Sequence, residues 1–178
     1  NGNAYTNGMF STTAQYPNIN GTVTDHDDIE EDNTGEKGNE DVFDVSRDMI
    51  LIHTKLTDKY FTESCDTYNE DYTYSDMNVN INNSVYVTGR LSLDGNISLN
   101  NAVGAVSDVD LSGGNLNGNN TVIYSKFGDI DISNSQASVN GLIYAPFGTV
   151  TIDCDNFNMN GLIIAQNVVI DGYGANIN

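Results

Sequence analysis

The amino-acid sequence predicts an all-β solenoid, a right-handed parallel β-helix with about 20 residues per coil, carrying one amphipathic α-helix on an end or flank. Three observations predict it. The first is an internal repeat. Ile123 aligns with Ile143, Tyr124 with Tyr144, Phe127 with Phe147, Gly128 with Gly148, Ile130 with Val150 and Ile132 with Ile152. A third copy opens with Asn160-Gly161-Leu162-Ile163, matching Asn140-Gly141-Leu142-Ile143. It slips by two at Val168 and Ile170, and is expected back in register where Asn176 and Asn178 meet Asn156 and Asn158. The second observation is the alternation that begins at Met77. Val79 and Ile81, Val85 and Val87, Leu91 and Leu93, Ile97 and Leu99, and Val109 and Leu111 recur as pairs of inward side chains. The third is what separates the pairs. Asn82-Asn83, Thr88-Gly89, Asp94-Gly95, Asn100-Asn101 and Gly113-Gly114 read as corners. Strands this short and this closely spaced suit a parallel β-helix better than a sandwich.

Residues 1–178 read as one domain, long enough to bury a core. The chain starts without methionine and stops in mid-pattern, and so reads as a mature product or an excised piece. Residues 1–24 form a first rung of the same solenoid. Asn18-Ile19-Asn20-Gly21 resembles Asn158-Met159-Asn160-Gly161. Residues 25–41 are an acidic insertion, too charged to pack, and read first as a solvated loop. Were the loop to hold an ion, calcium is the cofactor its carboxylates suit, with Asp25, Asp27, Asp28, Glu30 and Asp32 as ligands. The EF-hand pattern fails there, because Ile29 and Glu30 stand where an oxygen ligand and glycine are required. His26 reads as solvated.

Residues 41–62 form the helix. Val42, Val45, Met49, Ile52, Leu56 and Tyr60 share one face, widened by Phe43 and Ile50. Asp41 and Asp44 suit its start, and Lys55 and Lys59 its end. A solenoid exposes open ends and apolar flanks, and this helix is expected to cover one of them. His53, beside the apolar stripe, is given no role. Tyr68, Tyr72 and Tyr74 are expected to cover the seam between helix and stack. Residues 77–178 form the main stack. Asn140 over Asn160, and Asn156 and Asn158 under Asn176 and Asn178, predict ladders of side-chain amides. Phe127 over Phe147 predicts an aromatic stack.

Two cysteines are too few for a disulfide scaffold, and no metal-binding spacing surrounds them. Cys154 continues the inward alternation and reads as a small buried hydrophobe. Cys65 and Cys154 are the one candidate disulfide, in an exported protein.

Charge narrows the partners. With 25 acidic residues against 6 basic ones, the net charge is -19. Such a surface repels nucleic acid and anionic lipid, and no apolar run is long enough to insert into a membrane. Catalytic motifs are absent: no GxSxG, HExxH, P-loop or dinucleotide fingerprint occurs. Asp129, Asp131, Asp153 and Asp155 are expected to form one acidic strip. Lys126 is the only basic residue after Arg90, so an anionic sugar would find little to hold it.

The segments IYSKFGDIDI, VNGLIYAPFGTVTI and MNGLIIAQNVVI resemble a repeated module of large secreted or surface-attached proteins of Gram-positive anaerobic bacteria. The match is close over residues 119–178 and looser towards the helix. A weaker similarity extends to pilin-like and bactofilin-like β-helices. The resemblance implies an extracellular parallel β-helix with no catalytic residues to carry over. The expected function is a non-enzymatic, structural or adhesive module of a bacterial cell-surface protein or fibre. Its partners would be other protein domains, surface glycans, or a second copy stacked end to end on the coil from Val168 to Asn178. The alternative is a carbohydrate-binding or carbohydrate-cleaving β-helix with a cation on the aspartate strip.

Overall fold

The computed structural model describes residues 3–6, 9–19, 23–24, 45–62 and 64–178. Among the described residues, eleven strands and one helix follow in the order β1 (Asn3–Thr6), β2 (Phe10–Thr12), β3 (Tyr16–Ile19), β4 (Val23–Thr24), α1 (Val45–Tyr60), β5 (Asp66–Tyr68), β6 (Tyr72–Ile81), β7 (Val85–Val87), β8 (Leu91–Leu99), β9 (Val103–Ala105), β10 (Val109–Ser125) and β11 (Ile130–Ile177). All the pairings between them are parallel, and they build a β-solenoid of about 20 residues per turn. The long strands are unbroken runs that bend at corners between faces.

Three faces run along the stack, each with its own inward column. On the first, Val85 lies beneath Val103, Val103 beneath Ile123 and Ile123 beneath Ile143. On the second, Leu91, Val109 and Ile130 succeed one another. On the third the order is Val79, Ile97, Leu116 and Ala137. These side chains are at most 5% exposed and form one continuous core. The repeat survives because each inward methyl group packs on the one a rung below, about 4.8 Å away.

Helix α1 lies along the flank. Leu56 is buried against Ala102, Val122, Tyr124, Tyr144 and Ile164, with Ile52, Tyr60 and Phe61 packed around them. These are outward positions of the first face, so that face is apolar on both sides and needs the helix to cover it. At about 1.5 Å per residue, its 16 residues span roughly the height of five rungs. Tyr124 and Tyr144 stack with centroids 5.8 Å apart. The same column holds Gly104, where a Cβ would meet the Phe61 ring at 2.7 Å. Phe61 seats in that gap, 5.1 Å from Tyr86 and 5.9 Å from Tyr124. His53 lies within the helix.

Four expectations require correction. The described residues of the segment 1–24 form a rung, but it is first in sequence and last in space. Strand β1 pairs with Leu162–Ala165 of β11, β2 with Val168–Ile170 and β3 with Gly174–Ile177. The coil from Val168 to Asn178 is therefore covered by the chain's own N-terminal rung, not left open for a second subunit. The slip of two residues also persists. Gly172 sits over Cys154, and Asn176 donates to Asn158 Oδ1 at 3.4 Å, so Asn178 lies over Asn160.

The tyrosines do not cover the helix seam. Tyr68 sits beneath Val87, Tyr72 beneath Leu91 and Tyr74 beneath Leu93. They occupy inward positions of the lowest rung and close that end of the core, with Tyr68 and Tyr72 stacked 3.9 Å apart around a depression of about 260 Å³. Exposed Asp66, Glu70, Asp71 and Asp76 guard the strand edges there, as charged residues do at edges that must not pair.

The cysteines, finally, are both free. Cys154 is 2% exposed inside the core, its thiol 3.6 Å from the Ile132 carbonyl. Cys65 sits at the turn into β5, in the lowest rung. Several rungs of about 4.8 Å separate them, well beyond the reach of a disulfide. Burial pushes both thiols up.

Candidate functional site

The two faces that the helix leaves uncovered differ in charge. On the second face, outward positions carry acids. Asp110 lies under Asp131, and Asp94, Asp153 and Asp171 stand at its far edge. At the corner below it, carboxylates hold successive rungs together. The backbone N–H of Arg90 donates to Asp71 at 2.8 Å, that of Asp129 to Asp108 at 3.0 Å, and that of Thr149 to Asp129 at 2.7 Å. Arg90 Nε donates to Asp110 in a surface ion pair. Each of these carboxylates replaces a backbone partner that the turn would otherwise leave to water.

The expected strip of Asp129, Asp131, Asp153 and Asp155 is therefore not one cluster. The repeat places Thr149 above Asp129 and Thr151 above Asp131, so hydroxyl and amide groups alternate with the acids. Asp153 and Asp155 flank inward Cys154, at the opposite edge of the face. Among the described residues, no group of three or more acidic, histidine or cysteine side chains is placed to hold a metal. Asp25, Asp27, Asp28, Glu30 and Asp32, the expected calcium ligands, lie outside the described residues, as does His26.

Asp131 is the member of this face whose ionisation shifts. Burial raises its carboxyl above the ordinary value and Asp110, Asp129 and Asp108 add to the rise, while a hydrogen bond from Thr151 opposes it. A carboxyl raised on folding stabilises the fold in its protonated form. That contribution is complete below the unfolded value and is lost as pH climbs through the folded one. Asp131→Asn should therefore raise the melting temperature at neutral pH, with a gain that shrinks as the pH falls into the acid range, where the wild-type carboxyl is protonated too. An equal gain at neutral and acid pH would refute this account.

The third face is built from amides. Its outward positions follow the strands: Asn78, Asn80 and Asn82; Asn96, Ser98 and Asn100; Asn115, Asn117 and Asn119; Gln136, Ser138 and Asn140; Asn156, Asn158 and Asn160. None of them carries a charge. Part of the array is bonded from rung to rung, at pairs other than those expected. Asn100 Nδ2 donates to Asn82 Oδ1 at 3.0 Å, Asn96 Nδ2 to the Met77 carbonyl at 3.0 Å, and the Asn115 N–H to Asn96 Oδ1 at 3.2 Å. Two shallow depressions of about 300 Å³ each lie on this face. Asn156 and Asn158 line both, so the two lie on either side of one rung, and Tyr173 stands exposed beside the second.

A third surface feature is the pair Phe127 and Phe147, more than half exposed at the corner between the first two faces, with centroids 6.0 Å apart. Lys126 Nζ lies 4.9 Å from the Phe127 centroid. The stack was legible in the repeat. The trough on the amide face was not, although its signal, asparagine at every second position between inward aliphatics, is plain once the register is known.

Comparison of the chain with known proteins finds no matching family model, no matching curated protein and no matching solved structure.

Proposed function

We propose that the chain is a non-enzymatic, extracellular structural or adhesive module, a stiff rod that presents an uncharged amide face from a cell-surface protein or fibre. The observation that carries this reading is the different use made of the three faces. One is covered by α1, one is acidic and tied rung to rung, and one is a flat, regular amide surface. Backbone pairing along the stack supports stiffness, since no rung can bend away without breaking a ladder of parallel hydrogen bonds. The acidic face supports a structural role over a cation-bearing one, because Asp71, Asp108 and Asp129 are engaged by backbone N–H groups. A net charge of -19 would keep such rods apart in solution.

The test has two arms. Antibody raised against the chain should label intact cells of the producing organism. The purified chain should release no new reducing ends from neutral or anionic polysaccharides. Labelling only after lysis, or reducing ends that rise with protein concentration, overturns the reading.

A further inference from the structure

We infer that the amide face binds an uncharged polysaccharide, laid along the axis of the solenoid through the paired depressions. This rests on the adhesive reading above and gives it a ligand class.

Four properties of the face select that ligand. The first is charge. The protein carries -19 overall, yet Asn115, Asn117, Gln136, Ser138, Asn156 and Asn158 form an exposed surface with none. An anionic polymer would be repelled by the rest of the molecule, and a cation would be drawn to the acidic face instead. A neutral ligand is the class that meets no penalty here. The second is hydrogen-bonding chemistry. Each primary amide offers two donors and an acceptor with two lone pairs, all on one flat group. A sugar hydroxyl both donates and accepts, so it can satisfy an amide in either orientation.

The third property is shape. The two depressions, about 300 Å³ each, are individually at the lower end of what a small ligand needs. Because they share Asn156 and Asn158, they lie end to end on the face, over several rungs. A row of this kind suits a chain of residues rather than a single sugar. Tyr173 lines the outer depression and is 54% exposed, so a sugar held there would meet its side chain. The fourth is repetition. Similar amides recur at every rung, so a polymer can engage many weak contacts at once. Affinity then comes from the number of contacts held on one backbone. A second copy of this chain could present amides too, but it would bring its own large negative charge to the contact.

The experiment is affinity electrophoresis of the purified chain in native gels containing soluble hydroxyethyl cellulose, xyloglucan, galactomannan or dextran, with polygalacturonate as the anionic comparison. Retardation is expected in at least one neutral gel and not with polygalacturonate. The double substitution Asn117→Asp with Ser138→Asp places charge in the trough and should weaken retention about tenfold or more, and Tyr173→Ala should weaken it about threefold. Asp131→Asn, on the acidic face, should leave it unchanged. Melting curves establish that each variant folds, and Tyr173→Ala, at an exposed position, keeps the test decisive if the double variant does not. No retardation in any neutral gel, or retardation that the trough variants leave intact, overturns the inference while the adhesive reading stands or falls by cell labelling. Shortening of a retained polysaccharide supports the trough as a glycan site and overturns the non-enzymatic reading instead.

Discussion

Gly161→Ala should leave a chain that melts far below the wild type or fails to fold. Gly161 has φ of 150°, in a region that side chains avoid, and a Cβ built there would lie 1.9 Å from the carbonyl oxygen of Gly141. Gly141 is in the same position over Thr121, with φ of 146° and the same 1.9 Å clash. The obstacle is backbone on every side, so no side chain can swing away. Strain at such a backbone conformation costs about 1–3 kcal/mol by itself. Lifting one rung off another adds to it, and the sum falls in the exceptional range of about 4 kcal/mol or more. Gly174→Ala is the matched comparison. Its nearest contacts are 3.7 and 3.8 Å away, and it should change stability by no more than about 0.5 kcal/mol. Thermal unfolding followed by circular dichroism measures both. Equal melting temperatures for the two variants would sink the account of how the corners are built.

Tyr124→Ala should detach the helix from the stack. The Tyr124 side chain is fully buried, stacked at 14° on Tyr144 and tilted against Phe61. Burial also pushes its phenol up, so the ring stays neutral throughout the range in which the protein would work. Removing it opens a cavity at the centre of the contact between α1 and the first face, at a cost of about 3–5 kcal/mol. The loss should fall first on the helix, since the inward columns beneath Tyr124 keep their own packing. Hydrogen exchange makes the distinction. Amides of Val45–Tyr60 should lose protection before those of β8 and β10. Simultaneous loss everywhere would mean that the helix and stack form a single cooperative unit.

The solenoid was legible because inward positions are constrained from above and below. Ile123 and Ile143, or Ile132 and Ile152, must match in size or leave a void, so the repeat stays visible through the polar corners. The final register was not legible. Asparagine recurs at Asn156, Asn158, Asn160, Asn176 and Asn178, and a pattern of period two fits equally well when moved by two residues. What fixes it is Gly172 over Cys154, a backbone contact that composition does not reveal. The tyrosines of the lowest rung were misread for a related reason. With no rung beneath them among the described residues, inward side chains are half wet, and a polar-tipped ring serves there better than an aliphatic. The stacking position of residues 1–24 was hidden too, because hydrophobic alternation identifies a rung but not its neighbours. The amide face could be read residue by residue, yet a structural ladder and a ligand trough call for the same side chains.

The pairing of β1 with Leu162–Ala165 has a consequence in time. A chain made from its N-terminus presents the strands of the uppermost rung long before their partners. Until Gly174–Ile177 has emerged, β3 lacks the strand it pairs with, however well the middle of the stack has formed. Closure of that rung therefore waits on the far end of the stack: a molecule cut before residue 162 leaves β1 to β3 without these partners and open to proteolysis, and one that retains Leu162–Ile177 seals them onto that coil.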